Sequence, residues 1–279
     1  MSISAADVKK LRERTGLPLM DCKSALAEAD GDQDKAIELL RKRGQAVLDK
    51  RSDRETAFGR FGLYVGTDNA SGAIVELKCE SAPVAGHEEF IQLANDLAQQ
   101  LATGPGAANA EELLDQNSPS KDGVTLREQK DELFNRIREV FNVGRMKRVE
   151  GGTGGYTHNA GTVSGVLLGY DGGNDDVAKD ISMHVAAMRP SALSTDDLDA
   201  DIVAKEREIL REAALKEGKP ENIVDKMVEG RMRNFFAEQV LLEQPFVKDD
   251  SQTVGKFAES QGMKINEFVH WELGADAGA

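Results

Sequence analysis

The residues able to do chemistry in this 279-residue chain are few and widely spaced. Its four histidines, His87, His158, His184 and His270, show no i, i+4 pairing and no clustered cysteine partner. Metal ligands come in close-spaced sets, so no metal site and no cofactor are expected. Cys22 and Cys79 are too few for a disulfide framework or a four-thiolate zinc site, which favours a reducing compartment. No G-x-x-x-x-G-K-[ST] phosphate loop and no G-x-S-x-G nucleophile elbow occurs. Gly151-Gly152-Thr153-Gly154-Gly155 is glycine-rich but lacks the dinucleotide-binding spacing and a preceding strand. It is expected to be a flexible loop, with an anion nest as the alternative. The acidic pairs Glu88-Glu89 and Asp175-Asp176 precede helical patterns and complement the helix dipole. His184 falls on an apolar helical face, as a core or surface-edge histidine with satisfied partners. His158 follows the glycine-rich stretch in an expected turn, where a partner contact weighs equally with a solvated loop. These residues describe a binding module rather than an enzyme.

One stretch has a sharper reading: Cys79-Glu80-Ser81-Ala82-Pro83-Val84-Ala85 lies between a strand pattern and a helix pattern. It is either a plain connector or a rigid projecting tip, since contact residues concentrate on loops held by regular elements.

The elements that would position these residues follow from periodicity. Residues 1–54 read as three helices: one capped by Ser4 and closed at Thr15-Gly16, one after Pro18, and one beginning near Asp32. The basic run Arg41, Lys42, Arg43, Lys50, Arg51 and Arg54 is expected to be a solvated helix end, with a partner-facing patch or a linker as the functional alternative. The period then changes to two. Residues 61–66 and 72–79 form a strand pair, followed by a helix from His87 to the Gly104-Pro105-Gly106 stop. After a connecting helix over about 126–141, the order recurs in a hairpin over 155–170 and a helix from Asp175 to Pro190. A helical pair follows, one member ending at Gly218 and the other starting after Pro220. A closing strand is expected near 267–273, then a frayed small-residue tail over 275–279. The fold class is therefore α+β, with a tandem hairpin-plus-helix core.

Charge sorts the partners. With 35 Lys+Arg against 49 Asp+Glu, the net charge is −14. A chain that binds by neutralising phosphates would be basic, and anionic lipid repels an acidic protein. Neither nucleic acid nor a membrane is expected as a direct partner. No 18-residue apolar run and no signal-like N-terminal segment is present, so a cytoplasmic protein is expected. The acidity is uneven: residues 1–54 hold 12 basic and 10 acidic side chains, whereas 151–279 hold 13 and 23.

Leu11-Arg12-Glu13-Arg14-Thr15-Gly16, followed by Met20-Asp21-Cys22-Lys23 and Ala25-Leu26, resembles the N-terminal signature of the elongation factor Ts family. The resemblance continues through Cys79 to Val84, Ile181-Ser182-Met183-His184-Val185-Ala186-Ala187, Lys226 to Met232, and Glu243-Gln244-Pro245-Phe246-Val247. It implies a guanine-nucleotide exchange factor for elongation factor Tu, with no catalytic chemistry of its own. It also implies a three-helix domain like ubiquitin-associated (UBA) domains over 1–54 and core subdomains over 55–150 and 151–279, the second carrying an inserted antiparallel helical hairpin at about 191–240. Leu19 and Met20 match positions that contact Tu's nucleotide-binding domain, and His158 matches a contact to another Tu domain. Ser81, Ala82, Pro83 and Val84 match the magnesium-dislocating tip, which usually reads Thr-Asp-Phe-Val. Here both the acid and the aromatic wedge are absent. The C-terminal helix that some members use against Tu is also not seen after Trp271-Glu272-Leu273. A homodimer, if formed, would use the helical hairpin. The rival reading is a Tu-binding scaffold or chaperone-like partner without exchange activity.

Overall fold

The computed structural model describes residues 3–51, 53–68, 70–218 and 220–275. Helix α1 (Ala5–Thr15) starts where the Ser4 side chain accepts the Asp7 N–H, and stops at Gly16, whose φ of 68° suits a residue without Cβ. Pro18 leads into α2 (Leu19–Glu28), and Asp32 caps α3 (Gln33–Asp49). Leu11, Cys22, Leu26, Ala36 and Leu40 give these helices a core of their own.

The basic run departs from expectation. Helix α3 extends to Asp49, so Arg41, Lys42 and Arg43 lie within it rather than at its end. Arg41 pairs with Glu128 and Glu132, Arg43 with Glu28, and Arg54 with Glu80, while Arg51 donates to the Arg138 carbonyl at 2.7 Å. Arg41, Arg51 and Arg54 thus form a seam against the chain that follows, while Arg43 ties α3 back to α2. These pairs are half-exposed, so they align that seam more than they stabilise it.

Strands β1 (Phe58–Tyr64) and β2 (Ser71–Cys79) pair antiparallel, with Leu63 opposite Ile74. A single turn, α4 (Ala82–Ala85), separates β2 from the amphipathic α5 (Glu88–Thr103). The short α6 (Ala110–Leu114) precedes α7 (Leu126–Ile137), which opens on a Thr125/Glu128 capping box. The expected continuation of α7 to residue 141 fails because Arg138 turns left-handed, with φ 67°. An unanticipated strand, β3 (Asn142–Glu150), then pairs with β2 and completes a β1-β2-β3 sheet. Its charged residues hid it, because one of them, Arg145, turns inward to the buried Glu76.

Strands β4 (Thr153–His158) and β5 (Ser164–Gly172) follow, then α8 (Asp175–Met188). The glycine-rich stretch is not the flexible loop expected. It has a strand before it, and Gly154 and Gly155 lie inside β4. A Cβ on Gly154 would sit 2.4 Å from the Ala178 Cβ, so packing on α8 demands the small residue. Helices α9 (Ala200–Lys216) and α10 (Glu221–Gln239) fold against each other around Ala214, Val224, Val228 and Met232. The hairpin is closed at its root, where the Ser191 N–H meets the Gln239 carbonyl at 2.9 Å and the Leu241 N–H meets the Ala192 carbonyl at 2.8 Å. Strands β6 (Pro245–Phe246) and β7 (Asp249–Thr253), helix α11 (Val254–Ser260) and strand β8 (Met263–Glu272) end the described chain. The closing strand begins earlier than predicted and pairs with β5 in a β4-β5-β8 sheet. Most of the expected frayed tail lies outside the described residues.

The two three-stranded sheets face each other. Phe61, Ile74 and Val149 of the first meet Leu167 of the second, with Val269 and Trp271 alongside. Helices α5 and α7 cover the outer face of one sheet, α8 and α11 that of the other. Small residues let the layers close: a Cβ on Gly165 would lie 2.7 Å from Ile74 and Phe61 side-chain atoms. Among the described residues no helix is long and apolar enough to cross a membrane.

Candidate functional site

Two outward-facing apolar features stand near the junction of the three-helix unit and the sheets. Leu19 and Met20 occupy the first turn of α2, between buried Leu17 and buried Cys22. With those neighbours turned inward, Leu19 is left 49% exposed and Met20 69% exposed. The second feature is the turn after β2. Ser81 is its N-cap, Pro83 lies in its first turn, and Gly86 ends it. Ala82 and Pro83 are exposed, whereas Ser81 and Val84 are half-buried, and Val84 packs against the α5 core. The projecting part is therefore narrower than the four residues expected: Ala82 and Pro83 form its crest, while Ser81 and Val84 anchor it.

The anchoring is specific. The Glu139 carboxylate accepts the Ser81 N–H at 3.0 Å and the Ser81 hydroxyl at 2.6 Å. Next door, the Glu80 carboxylate accepts the Val140 N–H at 2.8 Å and pairs with Arg54 at 3.0 Å. Each loop thus offers the other a carboxylate and a backbone donor, and charge-assisted bonds of this kind are the stronger ones. Arg138 extends the network toward α2, its Nη2 lying 2.9 Å from Asp21 Oδ2. Beneath the turn, the Cys79 thiol donates to the Ser81 carbonyl and burial pushes its pKa up to about 12. That cysteine is not a nucleophile at neutral pH.

His158 stands apart. It is the exposed last residue of β4 rather than part of a turn, and its Nδ1 lies 3.1 Å from the Tyr156 hydroxyl. Among the described residues no hydrogen bond or ion pair joins it to α2 or to the turn after β2. The other histidines have structural partners or positions. His87 caps α5, accepting the Glu89 N–H at Nδ1. His184 is fully buried: Nδ1 accepts the Val247 N–H at 3.1 Å, so Nε2 carries the hydrogen and donates to Gln244 Oε1 at 2.9 Å. His270 is half-buried on β8, where burial holds its pKa below the usual histidine value. No group of three or more His, Cys, Asp or Glu able to hold a metal occurs among the described residues.

Asp21, Arg138 and Glu139 escaped sequence reasoning. Asp21 looks like an ordinary first-turn acid, and Arg138-Glu139 like the continuation of a charged helix. A non-glycine residue turning left-handed at position 138 has no signature in a single sequence.

Comparison with known proteins places the sequence in a family. The family profile described as elongation factor TS matches residues 80–275. Elongation factor Ts of Methylococcus capsulatus is 43% identical over 277 residues, covering 98% of this chain and 93% of that protein. Those of Hydrogenovibrio crunogenus and Thioalkalivibrio sulfidiphilus are each 41% identical, covering 98% of this chain and 92% and 93% of theirs. Identity at that level, sustained through both the three-helix unit and the paired sheets, shows that the chain belongs to the elongation factor Ts family.

Proposed function

We propose that this translation elongation factor binds GDP-bound elongation factor Tu and promotes GDP release, allowing exchange for GTP. The supporting observation is the pair of outward apolar features, Leu19–Met20 and Ala82–Pro83, tied to one framework through Asp21, Arg138, Glu139 and Ser81. Exchange needs no nucleophile or general base. The bound factor must weaken Tu's hold on nucleotide and magnesium, and linkage then requires GDP to weaken the complex by the same factor. On this reading Leu19 and Met20 dock on Tu's nucleotide-binding domain, His158 contacts another Tu domain, and the turn from Ser81 to Val84 disturbs the magnesium site. Pro83 has no aromatic ring to insert, so it acts through the shape and stiffness of the turn. The three-helix unit is taken as UBA-like over 1–54. The core is taken as a duplication over 55–150 and 151–279, with the hairpin inserted at about 191–240. The factor works in the cytoplasm without direct nucleic-acid or membrane contact, and its exposed Ile202, Ile209 and Ile223 offer a hairpin surface for a second copy.

The altered tip favours one rival, a Tu-binding scaffold without exchange activity. Release of fluorescent GDP from Tu separates the two. Acceleration by the wild-type chain, reduced in Leu19→Ala/Met20→Ala and in Pro83→Gly, supports exchange through these contacts. A stable complex with unchanged GDP release supports the scaffold. Acceleration equal in all variants removes these residues from the mechanism.

A further inference from the structure

Residues 138–140 lie in the short connector between α7 and β3, yet together they reach three different parts of the molecule. Arg138 sits in the left-handed region (φ 67°, ψ 22°), which reverses the chain as α7 ends. Its carbonyl accepts from Arg51, beyond the end of α3, and its guanidinium pairs with Asp21, next to Met20. Glu139 holds Ser81 by both of its carboxylate oxygens. The Val140 N–H takes Glu80, whose other oxygen takes Arg54. Three consecutive residues therefore bind the start of α2, the segment leaving α3, and the foot of the turn after β2.

We propose that Arg138 and Glu139 are positioning residues of the exchange surface, holding Leu19–Met20 and Ala82–Pro83 at a fixed mutual orientation; this rests on the exchange reading above. A partner loosened by both features at once depends on their mutual orientation, and a misplaced turn can still bind while failing to disturb the nucleotide site. The Arg138–Asp21 pair is weak as a source of stability, with side chains 35% and 43% exposed. Its value lies in direction, since the guanidinium spans from the connector to the residue beside Met20. Glu139 contributes the tighter end, with two bonds to one serine.

The test uses the full-length chain and Tu loaded with fluorescent GDP. Glu139→Ala frees Ser81. Arg138→Gly suits the left-handed backbone, keeps the carbonyl for Arg51 and removes the side chain that reaches Asp21. Saturation curves separate positioning from damage. Misorientation should lower the maximal GDP-release rate about tenfold while leaving the half-saturating concentration within about threefold. A partly unfolded variant would raise the half-saturating concentration and keep the maximal rate. Amide hydrogen exchange of a peptide spanning 80–86 should speed in Glu139→Ala, a readout that does not involve Tu. If Glu139→Ala does not fold, Glu139→Gln, which keeps an acceptor for one of the two bonds, should give an intermediate maximal rate. A folded Glu139→Ala or Glu139→Gln with the wild-type maximal rate overturns the proposal while leaving exchange standing. A wild-type chain that binds Tu without speeding GDP release overturns the exchange reading itself, and the positioning role with it.

Discussion

The Arg145 guanidinium and the Glu76 carboxylate meet in two parallel bonds between the facing sheets, Nη2 to Oε1 at 2.9 Å and Nε to Oε2 at 3.1 Å. The same Nη2 reaches the Glu272 carbonyl on β8 at 2.6 Å, and the guanidinium lies 5.2 Å from the centre of the Trp271 ring. One arginine thus joins β2, β3 and β8 across the boundary between the two sheets.

Removing either charge alone strands the other away from most of the solvent, Glu76 being buried and the Arg145 side chain only 16% exposed. Glu76→Ala and Arg145→Ala should each cost about 3–5 kcal/mol, whereas the apolar replacement Glu76→Leu/Arg145→Met should cost less than either. Urea unfolding of the three proteins decides it. Single variants that lose less than the double variant would refute the assignment.

Gly44, midway along α3, faces α7. A Cβ there would lie 1.8 Å from Asn135 Oδ1, and Asn135 is itself buried. Alanine in a helix interior is normally worth about 1 kcal/mol over glycine. Here Gly44→Ala should instead destabilise by about 1–3 kcal/mol through overcrowding. Adding Asn135→Ala should make Gly44→Ala neutral or stabilising. Thermal unfolding in both backgrounds tests the clash, and the absence of any such reversal counts against it.

His184 sets a pH limit. Burial holds its pKa below the ordinary 6.5, only partly offset by the Gln244 bond. The unfolded chain therefore takes up this proton first as pH falls. The stability His184 contributes is full above about pH 6.5 and declines below it, toward the folded pKa. Asp175, held below the usual carboxylate value by Thr67, loses its contribution in a separate window beneath 3.8. Unfolding free energy measured between pH 7.5 and pH 5 should slope less in His184→Gln than in the wild type. Parallel curves would show that His184 is not the titrating group.

Both cysteines are fully buried. The Cys79 thiol, with its pKa near 12, should react with a maleimide only after unfolding. Mass spectrometry of protein labelled with and without urea checks this. Rapid native labelling at Cys79 would mean that β2 opens locally at its end.

Much of this architecture is legible in the residues themselves. Ser4 and Asp32 announce helix starts through side chains that bond to backbone donors, and they do so in the structure. The alternation through Gly72 to Cys79 likewise predicts a strand, because one face packs on α5 and the other on the second sheet. Strand β3 was hidden for a physical reason: Arg145, Lys147 and Arg148 look solvent-facing until Glu76 appears from 69 residues away to neutralise one of them. The site divides in the same way. Pro83 stands out by type and place, between a strand pattern and a helix pattern, whereas Leu19 and Met20 are marked by the family resemblance. The bonds that orient them depend on Arg138 turning left-handed and on contacts 58 and 117 residues distant in sequence, beyond the reach of local pattern.

The closed root of the α9–α10 hairpin has a consequence for how such a chain can vary. Chain exit and return are hydrogen-bonded neighbours, and the arm has a small core of its own around Ala214, Val224, Val228 and Met232. The host sheet therefore senses only a fixed pair of endpoints. Closing a longer excursion costs just about 0.6 kcal/mol per doubling of length, so the arm can lengthen, shorten or change its outward face over generations while the paired sheets keep their register.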